Sequence, residues 1–138
     1  VTFLAEKAKK INCKIALYNH GGWLGNPENQ LQIIKAIPTQ NIGVIFNFHH
    51  SHDRIDFFAK DLKQMLPYLW CVNLNGMEKG GSKIVTIGKG SLEKEMIQKL
   101  FDIGYRGPLG ILGHVKGGDP AKILVENENG LLNLFDVQ

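Results

Sequence analysis

Cysteine is scarce: Cys13 and Cys71 are the two in 138 residues. Neither sits in a metal-type spacing and each borders an apolar strand. A disulfide framework and a zinc knuckle are therefore excluded, and two buried free thiols are expected. Such thiols suit a reducing compartment, and a cytoplasmic location is expected where no signal peptide precedes the chain. Long hydrophobic runs are also lacking. No stretch reaches the roughly eighteen apolar residues of a membrane-spanning helix, so no membrane association is expected. Charge of one sign is nearly balanced, since 16 basic and 13 acidic residues give a net +3. The basic residues are dispersed apart from Lys7, Lys9 and Lys10, which leaves no stripe for a nucleic-acid backbone. Low-complexity and linker segments are absent, and 43% hydrophobic with 21% charged residues excludes a disordered or fibrous chain. One domain is expected. The sequence opens on Val1, without Met, in what reads as the end of a helix, so it is expected to begin inside that domain.

What is present is an alternation of strand and helix. The run Val44-Ile45-Phe46 is continuously apolar, as in a strand buried on both faces, and it ends in Asn47-Phe48-His49-His50-Ser51-His52. Apolar strands with polar tips recur at Lys14–His20, Leu69–Asn75 and Leu109–His114. Thr2–Lys10 reads as a helix with Phe3, Leu4 and Ala8 on one side. Asn26-Pro27 and Asp119-Pro120 are helix starts, each an Asx N-cap followed by proline at the first helical position. Leu31, Ile34 and Ile37 space the first of these helices, which Pro38 ends; the second runs from Ala121 to Phe135 and is weakened by the Asn127–Gly130 segment. Asp53 and Asp56 are placed as an acidic capping box for a helix carrying Ile55, Phe58, Leu62, Met65 and Leu66. Ser91 is placed to cap a helix that Gly104 ends, and Lys83–Ile87 reads as a short β-like piece. Four β/α units at intervals of about thirty residues make a parallel sheet with its ligand end at the strand carboxyl termini. Four units are half of a (β/α)8 TIM barrel.

The chemistry converges on that end. Histidine there can ligate a metal, shuttle a proton or bond a sugar hydroxyl, and His20, His50 and His114 are the candidates. Asn19, Asn47, Asn73 and Asn75 add amides, which both donate and accept and so suit polyol recognition. Trp23, in a glycine-flanked loop, offers an indole face to a sugar ring. Gly88-Lys89-Gly90, before Ser91, offers backbone N–H groups to an anion, as does the Gly117-Gly118-Asp119 turn. Carboxylates are absent from all four tips.

The segments Ile15–Gly22, Asn47–His50, Val72–Gly76, Ile87–Gly90 and Gly104–Gly107 together resemble the sugar phosphate isomerase/epimerase family with a xylose isomerase-like TIM barrel, in its carboxyl-terminal half. The resemblance implies residues 1–138 as a partial barrel, a small keto- or aldo-sugar or sugar phosphate as substrate, proton transfer between adjacent carbons, and a divalent metal. It implies metal-binding and acid/base groups where Tyr18, Asn47, Asn73 and the Leu112-Gly113 pair stand, while Asn19, His20 and His50 follow the family pattern. His50 is the first expectation for a catalytic base and His20 the second, with Asn19, Trp23, Asn47, Asn73, Asn75 and His114 as substrate-binding residues. The alternative is a carbohydrate-binding barrel that has lost its metal site and its catalysis. Half a barrel leaves two sheet edges open, so self-association is expected.

Overall fold

The structure, a computed structural model, describes residues 1–37 and 41–135; the helix stop expected at Pro38 lies outside them. The elements in chain order are α1 (Thr2–Lys10), β1 (Ile15–Tyr18), a 3-10 turn (Gly22–Gly25), α2 (Pro27–Ala36), β2 (Ile42–Asn47), a 3-10 segment (Phe48–Phe57), α3 (Phe58–Met65), a 3-10 turn (Leu66–Tyr68), β3 (Leu69–Leu74), α4 (Glu93–Asp102), β4 (Leu109–Ile111) and α5 (Pro120–Leu134). The four strands form one sheet in the order β1-β2-β3-β4, all parallel. Parallel neighbours need a crossover, and α2, α3 and α4 supply the three.

Burial explains why the strands stay put. Leu17, Val44, Phe46, Val72 and Leu74 form one core with Ile34 of α2, Phe58, Leu62 and Met65 of α3, and Met96, Ile97 and Leu100 of α4. Gly43 is required on β2, because a Cβ there would lie 2.3 Å from the Trp70 ring. The Lys14 ammonium stands over that same indole at 5.2 Å.

Both Asx-Pro starts cap their helices. Asn26 Oδ1 accepts from Glu28 N–H at 3.1 Å, and Asp119 Oδ1 accepts from Ala121 N–H at 2.9 Å. Gly104, at φ +89°, ends α4 as expected. Its N–H donates to Phe101 O and that of Tyr105 to Leu100 O, the paired bonds of a Schellman motif.

Five local expectations are corrected. In α1 the buried residues are Ala5 and Ala8, while Phe3 and Leu4 are 67% and 59% exposed. Asp53 and Asp56 cap nothing: the chain stays in the 3-10 form to Phe57, and the two carboxylates pair with Lys83 and Lys79. Ser91 gives no cap bond, since Leu92 is the N-cap and Glu93 turns inward. The Lys83–Ile87 piece is reduced to one antiparallel bridge, Gly76 with Val85. Cys13 is exposed and Cys71 half-buried, because Cys13 falls in the turn before β1 and not in the strand.

Candidate functional site at the strand carboxyl ends

The sheet brings three of the four candidate asparagines into one hydrogen-bonded ladder. Asn47 and Asn73 are register partners at the ends of β2 and β3. Asn19 Oδ1 accepts from the Asn47 backbone N–H at 2.7 Å and from Asn47 Nδ2 at 3.0 Å, and Asn19 Nδ2 donates to Asn47 O at 3.1 Å. Asn73 Nδ2 then donates to Asn47 Oδ1 at 2.7 Å. A backbone N–H can only donate, so the Asn47 N–H fixes Asn19 with its oxygen inward. That fixes the orientation of Asn47, and Asn47 in turn fixes Asn73. Asn19 and Asn47 are buried and their amides are spent on this ladder. Asn73 is half-buried, and its Oδ1, reached by Cys71 Sγ at 3.8 Å, keeps accepting capacity. Gly110 on β4 makes the room, since a Cβ there would lie 2.3 Å from that oxygen.

Asn75 stands apart from the ladder. It is fully buried and positions loops: Oδ1 accepts from His49 N–H at 3.0 Å, while Nδ2 donates to Gly76 O and Lys83 O at 2.8 and 2.9 Å. A substrate-facing amide at Asn75, like those at Asn19 and Asn47, would have to break bonds it already makes.

The histidines converge. His20 and His50 lie with ring centroids 4.7 Å apart, His49 and His50 3.7 Å apart, and the Tyr18 ring meets His50 edge-on at 5.6 Å. His114, beyond β4, is near enough for its charge to act on His49. Burial depresses the His49 imidazole from the ordinary histidine value to about 4, helped by the charges of His50, His114, His20 and Lys83. His50 is lowered for the same first reason, then by His20 and Lys83. Both rings are thus kept neutral near pH 7, the state a general base requires. Trp23 is placed in the 3-10 turn after β1, 60% exposed, with its carbonyl accepting from Asn29 Nδ2 at 2.7 Å. His52 is taken up structurally, bonding Glu78 O at 2.8 Å.

Two contributors carry no mark in the sequence: Lys83, and Tyr18 as a ring partner of His50. His49, a strand-end histidine that the sequence favours as a loop cap or solvent-facing group, instead joins the ring cluster beside His50. Lys83 reaches the mouth from the loop after β3, and no local pattern marks it.

The Gly88-Lys89-Gly90 turn is already filled from within. Glu93 Oε1 accepts from Gly88 and Gly90 N–H at 2.9 and 2.8 Å, and Oε2 accepts from Met77 N–H at 3.2 Å. The anion expected there is the chain's own buried carboxylate.

A divalent cation does not fit the tips as they stand. The oxygens of Asn19 and Asn47 accept hydrogen bonds within the ladder, and an acceptor so engaged has little left for a hard ion. Among the described residues no group of three or more His, Cys, Asp or Glu side chains could hold a metal ion. Also among the described residues, no helix is long and apolar enough to cross a membrane.

These features sit in a recognisable frame. The fold is similar to D-psicose 3-epimerase solved in the presence of D-fructose (TM-score 0.78, 19% identity, 99% of this chain and 53% of that one). It is similar to the 3-keto-D-glucoside 4-epimerase YcjR from E. coli (TM-score 0.73, 17% identity, 96% and 49%). It is also similar to the IolI protein solved with a bound zinc atom (TM-score 0.68, 16% identity, 96% and 52%). No curated protein matches the sequence. The chain spans about half the length of each of these neighbours and holds four parallel strands of a barrel. The family model for the xylose isomerase-like TIM barrel matches residues 1–129, and the chain belongs to that family.

Proposed function

We propose that this chain is the carboxyl-terminal half of a sugar-handling barrel that moves a proton between adjacent carbons of a small keto- or aldo-sugar. His50 is the base and His20 the paired acid. The observation that carries this reading is the His20–His50 pair, 4.7 Å between centroids at the ligand end of the sheet, with His50 held neutral by burial and neighbouring charge. Proton transfer needs a base of suitable pKa within hydrogen-bond reach of the carbon acid, and a second group to return or relay the proton. The likeness to sugar epimerases supports the class of ligand. In this reading Asn73, His114 and Trp23 bind sugar hydroxyls and the sugar face, while Asn19, Asn47 and Asn75 hold the tips in place.

Deuterium exchange tests it. The intact protein is incubated with keto-sugars in D2O, and carbon-bound proton signals are followed by NMR. Loss of the signal next to the carbonyl is expected, with His50→Ala slowing it by about 100-fold or more. Saturable sugar binding without any exchange would give way to the second reading, a barrel that binds carbohydrate without turning it over. The ladder favours that alternative, because amides committed to one another supply no proton-transfer group.

A further inference from the structure

Tyr18 ends β1 with a phenol hydroxyl that the fold leaves unused. Leu17 turns to the helices and joins the core with Ile34 of α2, so alternation sends Tyr18 to the opposite face of the sheet. On β2 Phe46 turns to the helices too, its ring 6.0 Å from that of Phe58, so Ile45 and Asn47 share the face of Tyr18. Ile45 is the register partner of Tyr18. Tyr18 is 37% exposed, and among the described residues its hydroxyl makes no hydrogen bond. Tyr105, by contrast, spends its hydroxyl on Pro108 O at 2.7 Å. The Tyr18 ring closes a triangle with two histidines: edge-on to His50 at 5.6 Å and tilted to His20 at 6.3 Å, the two imidazoles being 4.7 Å apart. An edge-on pair is a favoured aromatic geometry, so the phenol is held beside the proposed base.

Removing a proton next to a carbonyl pushes negative charge onto the carbonyl oxygen, and a donor already in place has to meet it. Other polar groups at the tips are committed. The ladder uses the amides of Asn19 and Asn47 and the Nδ2 of Asn73, Asn75 holds loops, and Lys83 is paired with Asp53 at 2.9 Å. We infer that Tyr18 is a catalytic residue, whose hydroxyl donates to the carbonyl oxygen of the bound sugar while His50 deprotonates the neighbouring carbon. This role rests on the proton-transfer reading above and adds to it the group that receives the charge. In the step, His50 takes the proton, the C–H electron pair becomes the new C=C bond, and the carbonyl π pair moves to oxygen. Tyr18 keeps its own proton and shares it with that oxygen as a hydrogen bond. A phenol can do this without ionising.

Deuterium exchange by the intact protein decides it, with D-fructose and dihydroxyacetone as probes and Tyr18→Phe and Tyr18→Leu beside the unaltered chain. Tyr18→Phe keeps a ring against His50 and removes only the hydroxyl. It is expected to lower the exchange rate at saturation about 100-fold or more, as loss of one such donor does, and to leave half-saturation little changed. Thermal melts check that both variants fold. A wild-type rate in Tyr18→Phe, with a loss only in Tyr18→Leu, makes the ring a prop for His50; it overturns the role and leaves the proton-transfer reading standing. A Tyr18→Phe defect confined to half-saturation makes the hydroxyl a sugar-binding group and overturns the role as well. So does exchange that EDTA abolishes and a divalent cation restores, since the charge then falls to a metal. No exchange of either probe by the unaltered chain removes the proton-transfer reading and the role with it.

Discussion

Asn47 is the position where an amide and a carboxylate of the same shape would behave most differently. Its Nδ2 donates to Asn19 Oδ1 while its Oδ1 accepts from Asn73, and it is fully buried. In Asn47→Asp the donor becomes an acceptor facing an acceptor. A buried group left unsatisfied costs about 1–3 kcal/mol, and a charge costs more. Urea denaturation at neutral pH should show a midpoint lowered by at least that amount with the slope unchanged. Folding here raises the new carboxyl's pKa, so the deficit is present at neutral pH and shrinks as acid protonates it and restores a donor. An unchanged midpoint would mean the ladder holds nothing together. His49 gives a second expectation. Its folded pKa, about 4, lies below the unfolded value of 6.5, so the unfolded chain binds more protons between the two. Stability therefore falls as pH drops from about 6.5 towards about 4, and His50 acts in the same direction. The fall should be shallower in His49→Gln, read as the pH dependence of the urea midpoint.

α5 shows how an element can contain a residue that weakens it alone and fits it to its neighbour. Gly130 in mid-helix costs about 1 kcal/mol against alanine. Yet a Cβ there would stand 1.8 Å from Ile87 O, so the glycine lets the helix lie against the 85–90 loop. One turn earlier Asn127 is buried, its Oδ1 accepting from Ile87 N–H at 2.9 Å and its Nδ2 donating to Ile123 O at 2.8 Å. The contact outweighs the propensity. Gly130→Ala should lose about 1–3 kcal/mol, as overpacked sites do, where propensity alone forecasts a gain. Chemical denaturation gives the sign at once. The same comparison shows what the sequence could carry. The Asx-Pro helix starts, the Gly104 stop and the four strands depend on neighbours a few residues away, and they were legible. So was the convergence of His20 and His50, because parallel strands deliver their tips to one end. The Asn127–Gly130 seam has its partner forty residues distant and read only as weakness. Ser91 lost its expected role to Glu93, whose carboxylate reaches Met77 as well as the glycines beside it. The asparagine tips were found, but their use in one another was not, since composition cannot tell a free amide from a spent one.

At the scale of the molecule, the sheet pairs β1 and β4 on one side only. An unpaired strand edge is a template for another chain. The helices beside the two edges expose apolar side chains: Phe3 and Leu4 on α1, with Ile11 just after it, and Leu124, Val125 and Leu132 on α5. The two ends are protected unequally. Lys7, Lys9 and Lys10 crowd the last turn of α1, and the Lys7 ammonium covers the Phe3 ring at 5.4 Å. On α5 the neighbouring charges, Lys122 and Glu126, lean towards each other at 3.9 Å and leave Leu124 and Val125 uncovered. As a 138-residue polypeptide the chain should therefore self-associate, with the α5 end the stickier of the two. Light scattering should give a mass above the monomer that rises with concentration. The double substitution Leu124→Lys with Val125→Lys should lower it more than Phe3→Lys with Leu4→Lys. A monomer at all concentrations with a cooperative melt would show that four β/α units with both edges bare can stand alone. A larger effect from the α1 pair would show that its lysines do not shield it.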